Sequence, residues 1–145
     1  MATTFRSATE HDIEWLVDLR AEVLRADLER LGRYDTHRVR QRMRDSYVPT
    51  STRVIVEDGE EIGCVTVRVE DDARWLEHFY LAPHVHGRGI GSRVLRELLA
   101  EEDPRPFRLN VLQGSPARRL YERYGFTVDS EDEVDVFMTR SAGPR

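Results

Sequence analysis

The chain has no lysine, one cysteine and no long apolar run, and each shortage removes a class of function. Without lysine there is no Gly-Lys-Ser/Thr loop, whose lysine reaches the terminal phosphates of a nucleoside triphosphate. Cys64 alone permits no internal disulfide, and a cytoplasmic location follows as the default. Residues 1–20 hold no uninterrupted apolar stretch, so neither a signal peptide nor a membrane span is expected. Positive charge is not in excess, since 22 basic residues against 27 acidic ones give a formal net charge of -5. That balance argues against a nucleic-acid partner, which would call for a basic face. His84 and His86 stand two apart with no third ligand close in sequence, so no metal is expected. Repeats, low-complexity tracts and long linkers are lacking as well. What is there is a chain of 145 residues, 39% hydrophobic, which suffices for the core of one domain over residues 1–140, with 141–145 as a frayed tail.

Apolar periodicity predicts the elements. A short strand near Thr3 to Ser7 precedes caps at Thr9 to Asp12 and a helix with a stripe of Ile13, Leu16, Val17, Leu24, Leu28 and Leu31, ended by Gly32. A basic helix follows from Thr36 to Tyr47, with Val39, Met43 and Tyr47 one turn apart. Val54 to Val56, a turn at Glu57 to Glu60, and Ile62 to Val69 read as a hairpin with Val65, Val67 and Val69 facing inward. Trp75 to Leu81 is an apolar strand, and Ile90, Val94, Leu95, Leu98 and Leu99 recur at helical spacing. Asp103 to Pro106 breaks the chain before the strand Phe107 to Leu112. The last strands are Phe126 to Asp129 and Val134 to Thr139.

Between the Trp75 to Leu81 strand and the next helix lies Val85-His86-Gly87-Arg88-Gly89-Ile90-Gly91-Ser92. Glycines leave backbone amides uncovered, and the first-turn N–H groups of the following helix can point at a phosphate. Arg88 and Arg93 add positive charge. The spacing is G-x-G-x-G, not the G-x-G-x-x-G of a dinucleotide site, and no acidic ribose partner accompanies it. A second motif runs from Ser115 to Phe126, where Ser115 can cap a helix, Pro116 suits its first turn, and Gly125 can end it in the left-handed conformation.

Together these motifs resemble the GNAT N-acetyltransferase superfamily. Its acyl-CoA pyrophosphate loop has Gln or Arg, two residues, Gly, one residue, then Gly or Ala; here His86, Gly89 and Gly91 hold those places. Its late helix carries Leu-Tyr, three residues, Gly-Phe, matched by Leu120-Tyr121 and Gly125-Phe126. His86 departs from the pattern, although the main donors in such a loop are backbone amides. The resemblance implies an α/β fold, a mixed central sheet of about seven strands flanked by about four helices and splayed between the fourth and fifth strands. It further implies acetyl-CoA as acyl donor, held by the strand residues Phe79, Tyr80 and Leu81 and by the loop residues His86, Gly87, Arg88, Gly89, Ile90, Gly91 and Ser92. The pantetheine arm would pair with backbone groups of Phe79 and Leu81 as an added strand.

The implied reaction is direct attack of an amine on the thioester carbonyl. It needs a neutral amine, a polarised carbonyl and a protonated leaving thiolate. Tyr121 matches the family tyrosine, and a phenol with a pKa of about 10 can donate to sulfur at neutral pH. For the base, Glu77 is the first candidate and His78 the second, with loss of the proton to solvent as a further alternative. In an ideal strand His78 and Tyr80 face opposite Glu77, although strands near such sites bulge. Asn110 is a candidate contact to the cofactor or to the neighbouring strand.

The acceptor is an amine-bearing small molecule or peptide whose identity is open. Asp27, Glu29, Asp35 and the acidic segment Asp129 to Asp135 would suit a cationic amine; Arg38, Arg40, Arg42 and Arg44 would suit an anionic acceptor. A non-catalytic acyl-CoA-binding module of the same fold is the alternative function, and similar proteins are often homodimers.

Overall fold

A computed structural model of the chain describes residues 3–142. They form one seven-stranded sheet in the order β1-β2-β3-β4-β5-β7-β6, with helices on both faces. The strands are β1 (Thr3–Ser7), β2 (Thr52–Glu57), β3 (Glu60–Val69), β4 (Arg74–Leu81), β5 (Phe107–Leu112), β6 (Thr127–Glu131) and β7 (Asp135–Arg140). The helices are α1 (Ile13–Arg30), α2 (Thr36–Ser46), α3 (Ile90–Ala100) and α4 (Ala117–Arg123). Residues 143–145, most of the expected tail, lie outside the described residues. Among the described residues no helix is long and apolar enough to cross a membrane.

Local chemistry sets the helix ends. Before α1, Thr9 and Asp12 form a reciprocal capping box, and the buried Asp12 carboxyl also accepts from Arg6 at 2.7 Å and from Trp15 Nε1 at 2.9 Å. Gly32, at φ 69°, closes α1 with its N–H to Glu29 O and the next N–H to Leu28 O, so two end carbonyls are satisfied. Asp35 Oδ1 caps α2 through the Arg38 amide at 2.8 Å.

Two apolar clusters divide along the sheet. Leu16, Val17, Leu19 and Met43 of α1 and α2 pack on Cys64 and Tyr80. On the other face Val94, Leu95 and Leu98 of α3 and Tyr121 of α4 pack on Val65, Leu76, Leu109 and Met138. The β2–β3 hairpin turns through Asp58 (φ 50°) and Gly59 (φ 84°), which narrows the expected turn and leaves Glu57 buried as the last residue of β2. One inward assignment is corrected. Val65 is buried and Val67 half-buried, but Val69 is 54% exposed, because β3 runs on past the helices that cover its middle.

Candidate active site

Only the first two residues of β4 and β5 pair, Arg74 with Phe107 and Trp75 with Arg108. The start is pinned: the Arg74 amide donates to Pro106 O at 2.8 Å, and its guanidinium stacks on Phe107 at 3.8 Å and donates to Arg105 O. Beyond Trp75 the parallel ladder stops and the strands part. A cleft of about 810 Å³ opens there, lined by Leu76 to Tyr80 of β4, Asn110 to Leu112, Tyr121, and residues of α1, α2 and the β6–β7 turn.

The β4 strand bulges inside this cleft. Cys64 pairs with Tyr80 and Thr66 with Glu77, so Val65 faces both His78 and Phe79. His78 takes φ 43°, a left-handed backbone that is costly for a residue with a Cβ. The extra residue resets the alternation. Phe79 then packs with the α3–α4 cluster and Tyr80 with the α1–α2 cluster. The ideal-strand expectation is therefore corrected, because the bulge brings Glu77, His78 and Tyr80 to one face. Gly63 permits the tight approach, since a Cβ there would lie 2.1 Å from Tyr80 O.

A chain of hydrogen bonds on that face takes one direction when the His78 ring is neutral. Arg20 Nε donates to Tyr80 Oη at 3.0 Å, and Tyr80 Oη lies 3.1 Å from His78 Nδ1. His78 Nε2 lies 2.8 Å from Ser46 Oγ, which donates to Arg42 O at 2.8 Å. An arginine only donates and a carbonyl only accepts. Ser46 must therefore accept from His78 Nε2–H, and with the ring neutral Tyr80 donates to His78 Nδ1. Burial pushes the His78 pKa down to about 4, with Arg20 adding to the shift, so the ring is neutral. Its one lone pair is already occupied by the Tyr80 hydroxyl.

Glu77 is differently placed. Its Oε1 accepts from Arg68 Nε at 2.8 Å, and the residue lines the cleft. Tyr121, on α4, is buried with its ring edge-on to Phe126 at 5.5 Å. Its hydroxyl makes no hydrogen bond among the described residues, although the residue lines the cleft. Burial raises the phenol's pKa above its ordinary value, which keeps the proton on oxygen.

At the far end of β4 a short 3₁₀ turn, Pro83–Val85, leads into the glycine segment. Gly87 and Gly89 take φ 80° and 77°, and Gly89 is the N-cap of α3. No atom lies within 4 Å of where a Cβ would stand on either. The α3 N-terminus has no side-chain cap and no acidic residue in its first turn. Open space thus faces uncapped amides, which suits an anion. His86 bends back instead, its Nε2–H donating to Leu81 O at 2.7 Å. Ser92 lies in the first turn of α3, and Arg96 of the same helix donates to Tyr124 Oη at 3.2 Å, joining α3 to the end of α4. A Cβ on Gly91 would meet the Leu120 and Leu81 side chains at 3.5 and 3.7 Å, ordinary contact distances.

The nearby arginines are already engaged. Arg93 donates to Thr3 Oγ1 at 2.6 Å, and Arg88 stands 3.6 Å from the buried Glu57. The other oxygen of Glu57 has no hydrogen-bond partner among the described residues. Backbone amides therefore remain the main donors of the turn. His84 pairs with Glu60 at 3.2 Å. Arg20, Ser46, Glu57 and Arg68 escaped the motif reading because each reaches the site from a distant segment, with no local spacing to mark it.

A family model described as an acetyltransferase (GNAT) domain matches residues 49–128. Among solved structures, the PaiA N-acetyltransferase of Thermoplasma acidophilum in complex with coenzyme A is similar at TM-score 0.76 and 21% identity, covering 97% of this chain and 99% of that one. An N-acetyltransferase from Staphylococcus aureus Mu50 gives 0.70 and 18%, covering 94% and 99%. A GNAT family acetyltransferase from Streptococcus agalactiae 2603 gives 0.74 and 17%, covering 98% and 96%. At such identities the structural likeness is one of fold. No curated protein matches the sequence. The matched residues run from just before β2 into β6 and so contain the parting strands, the glycine turn and Tyr121. On that match, the chain belongs to the GNAT acetyltransferase family.

Proposed function

We propose that the protein transfers the acetyl group of acetyl-CoA to an amine by direct attack. The observation that carries this reading is the ladder that stops after Trp75, opening a cleft in which the unpartnered Tyr121 hydroxyl and Glu77 both sit. Acetyl-CoA supplies an activated acyl group on sulfur. The open amides after Gly87 and Gly89 suit its pyrophosphate, with Arg88, Ile90, Gly91 and Ser92 completing the turn. The unpaired edge of β4 around Phe79, Tyr80 and Leu81 suits the pantetheine amides. His86 braces Leu81 to the turn and so sets the distance between the two contact regions.

In the transfer, the amine nitrogen bonds the carbonyl carbon and the carbon–sulfur bond breaks. Glu77, steadied by Arg68, takes the nitrogen's proton through water. Tyr121 gives its proton to the departing sulfur and recovers one from solvent. Amide and free thiol are the products. His78 is a poor base, because its lone pair is occupied and its pKa lies near 4; it positions Tyr80 instead. The test is amine-dependent release of free thiol from acetyl-CoA. Cys64 adds no background, since burial pushes its thiol up to about 12.

A further inference from the structure

The charges around the cleft are sorted. On α2, Arg40 and Arg44 stand one turn apart and pair with Asp18 and Glu14 of α1. Arg38 and Arg42, also one turn apart, line the cleft; neither makes an ion pair among the described residues, and Arg38 lies in the field of the capping Asp35. Arg20 of α1 lines it too, half-buried. Its guanidinium donates to Tyr80 Oη and Val39 O, both uncharged, and meets no carboxylate among the described residues. The acids of the cleft are mostly engaged. Asp27 holds Arg30 at 2.8 Å, Asp132 accepts the amides of Val134 and Asp135, Asp135 accepts from Asn110, and Glu77 holds Arg68. Arg33 lies in the field of Asp132. Positive charge without an ion pair thus sits on the α1–α2 side, while Glu133 and Asp135, which make no ion pair among the described residues, leave negative charge on the β6–β7 side.

Resting on the acetyl-transfer reading above, we propose that the acceptor is a small amine that also carries an oxyanion, and that Arg20, Arg38 and Arg42 bind that oxyanion. A half-buried guanidinium without a counter-charge is costly, and an oxyanion relieves it through paired N–H donors. Carboxylate and phosphate share the required chemistry. The cleft volume suits a small molecule. With the oxyanion on the arginines, the amine end is free to face Glu77 across the same cleft.

The experiment uses amines matched for the anionic group: ornithine with putrescine, tyrosine with tyramine, and phosphoethanolamine with ethanolamine. Each is read twice, as thiol release from acetyl-CoA and as calorimetric binding to the CoA-loaded protein. The acid-bearing member of at least one pair should be favoured by about tenfold or more, the amino acids marking a carboxylate site and phosphoethanolamine a phosphate site. Arg38→Gln and Arg42→Gln should shrink that preference through a higher KM for the acid. Arg44→Gln, on the opposite face of α2, should leave it intact. Equal or reversed preference in every pair, or equal effects of Arg42→Gln and Arg44→Gln, overturns the proposal. Preferential binding without thiol release refutes acetyl transfer and upholds the oxyanion site; thiol release indifferent to the anionic group refutes the site alone.

Discussion

Tyr80 donates its hydroxyl proton to His78 Nδ1 across 3.1 Å, joining two residues that the β4 bulge has brought to one face of the sheet. This contact requires a neutral ring. In the unfolded chain the imidazole titrates near 6.5, whereas burial holds it near 4 in the folded protein. Between those values the unfolded state binds more protons, so the His78 contribution is complete above about pH 6.5 and is lost progressively toward about pH 4.

Urea unfolding at about pH 7.5 and about pH 5 measures this, with an expected loss of about 1–2 kcal/mol from this group. His78→Asn keeps a side chain that tolerates positive φ but does not titrate. It should flatten the profile over that interval. Parallel profiles for the two proteins would remove His78 as the source.

The glycine turn makes a separate prediction. Gly89→Val puts methyl groups into the open space over the α3 amides, at a φ of 77° that costs a side chain about 1–2 kcal/mol. Calorimetry should show CoA affinity at least about tenfold weaker, with the fold retained but less stable. Gly32→Val is the control for strain, because Gly32 has a similar φ and equally open surroundings but ends α1. Unchanged CoA affinity in Gly89→Val would exclude the turn as the pyrophosphate site.

Gly63→Ala probes the bulge from β3. The added methyl would stand 2.1 Å from Tyr80 O, so the β4 backbone must move. A stability loss of about 2–4 kcal/mol is expected by urea unfolding. A loss below about 0.5 kcal/mol would mean that the strands do not approach as described.

Much of this was legible in the sequence where the signals are local. Thr9 and Asp12, Gly32, Ser115 and Gly125 act where their turn and cap chemistry placed them: Ser115 Oγ accepts the Ala117 amide at 3.2 Å, and Gly125 takes φ 92°. The two motifs led to the family and to fourth and fifth strands that splay apart, but not to the point after Trp75 where their pairing ends. The side-chain phase of β4 was not legible. A bulge depends on the partner strand, so nothing within residues 74–81 shows that Glu77 and His78 both share a face with Tyr80. Nor did the run of arginines on α2 show its division, because Asp18 and Glu14, which neutralise Arg40 and Arg44, belong to another helix.

The central claim rests on Tyr121 as the proton donor to sulfur. Its hydroxyl has no partner to lose among the described residues, while its ring keeps packing on Phe126, so Tyr121→Phe separates chemistry from stability. The decisive measurement is kcat for thiol release at saturating acetyl-CoA and a good amine, in the wild type and in Tyr121→Phe. A fall of about 10²-fold or more, with donor affinity and melting temperature nearly unchanged, is the predicted result. An unchanged kcat would contradict it.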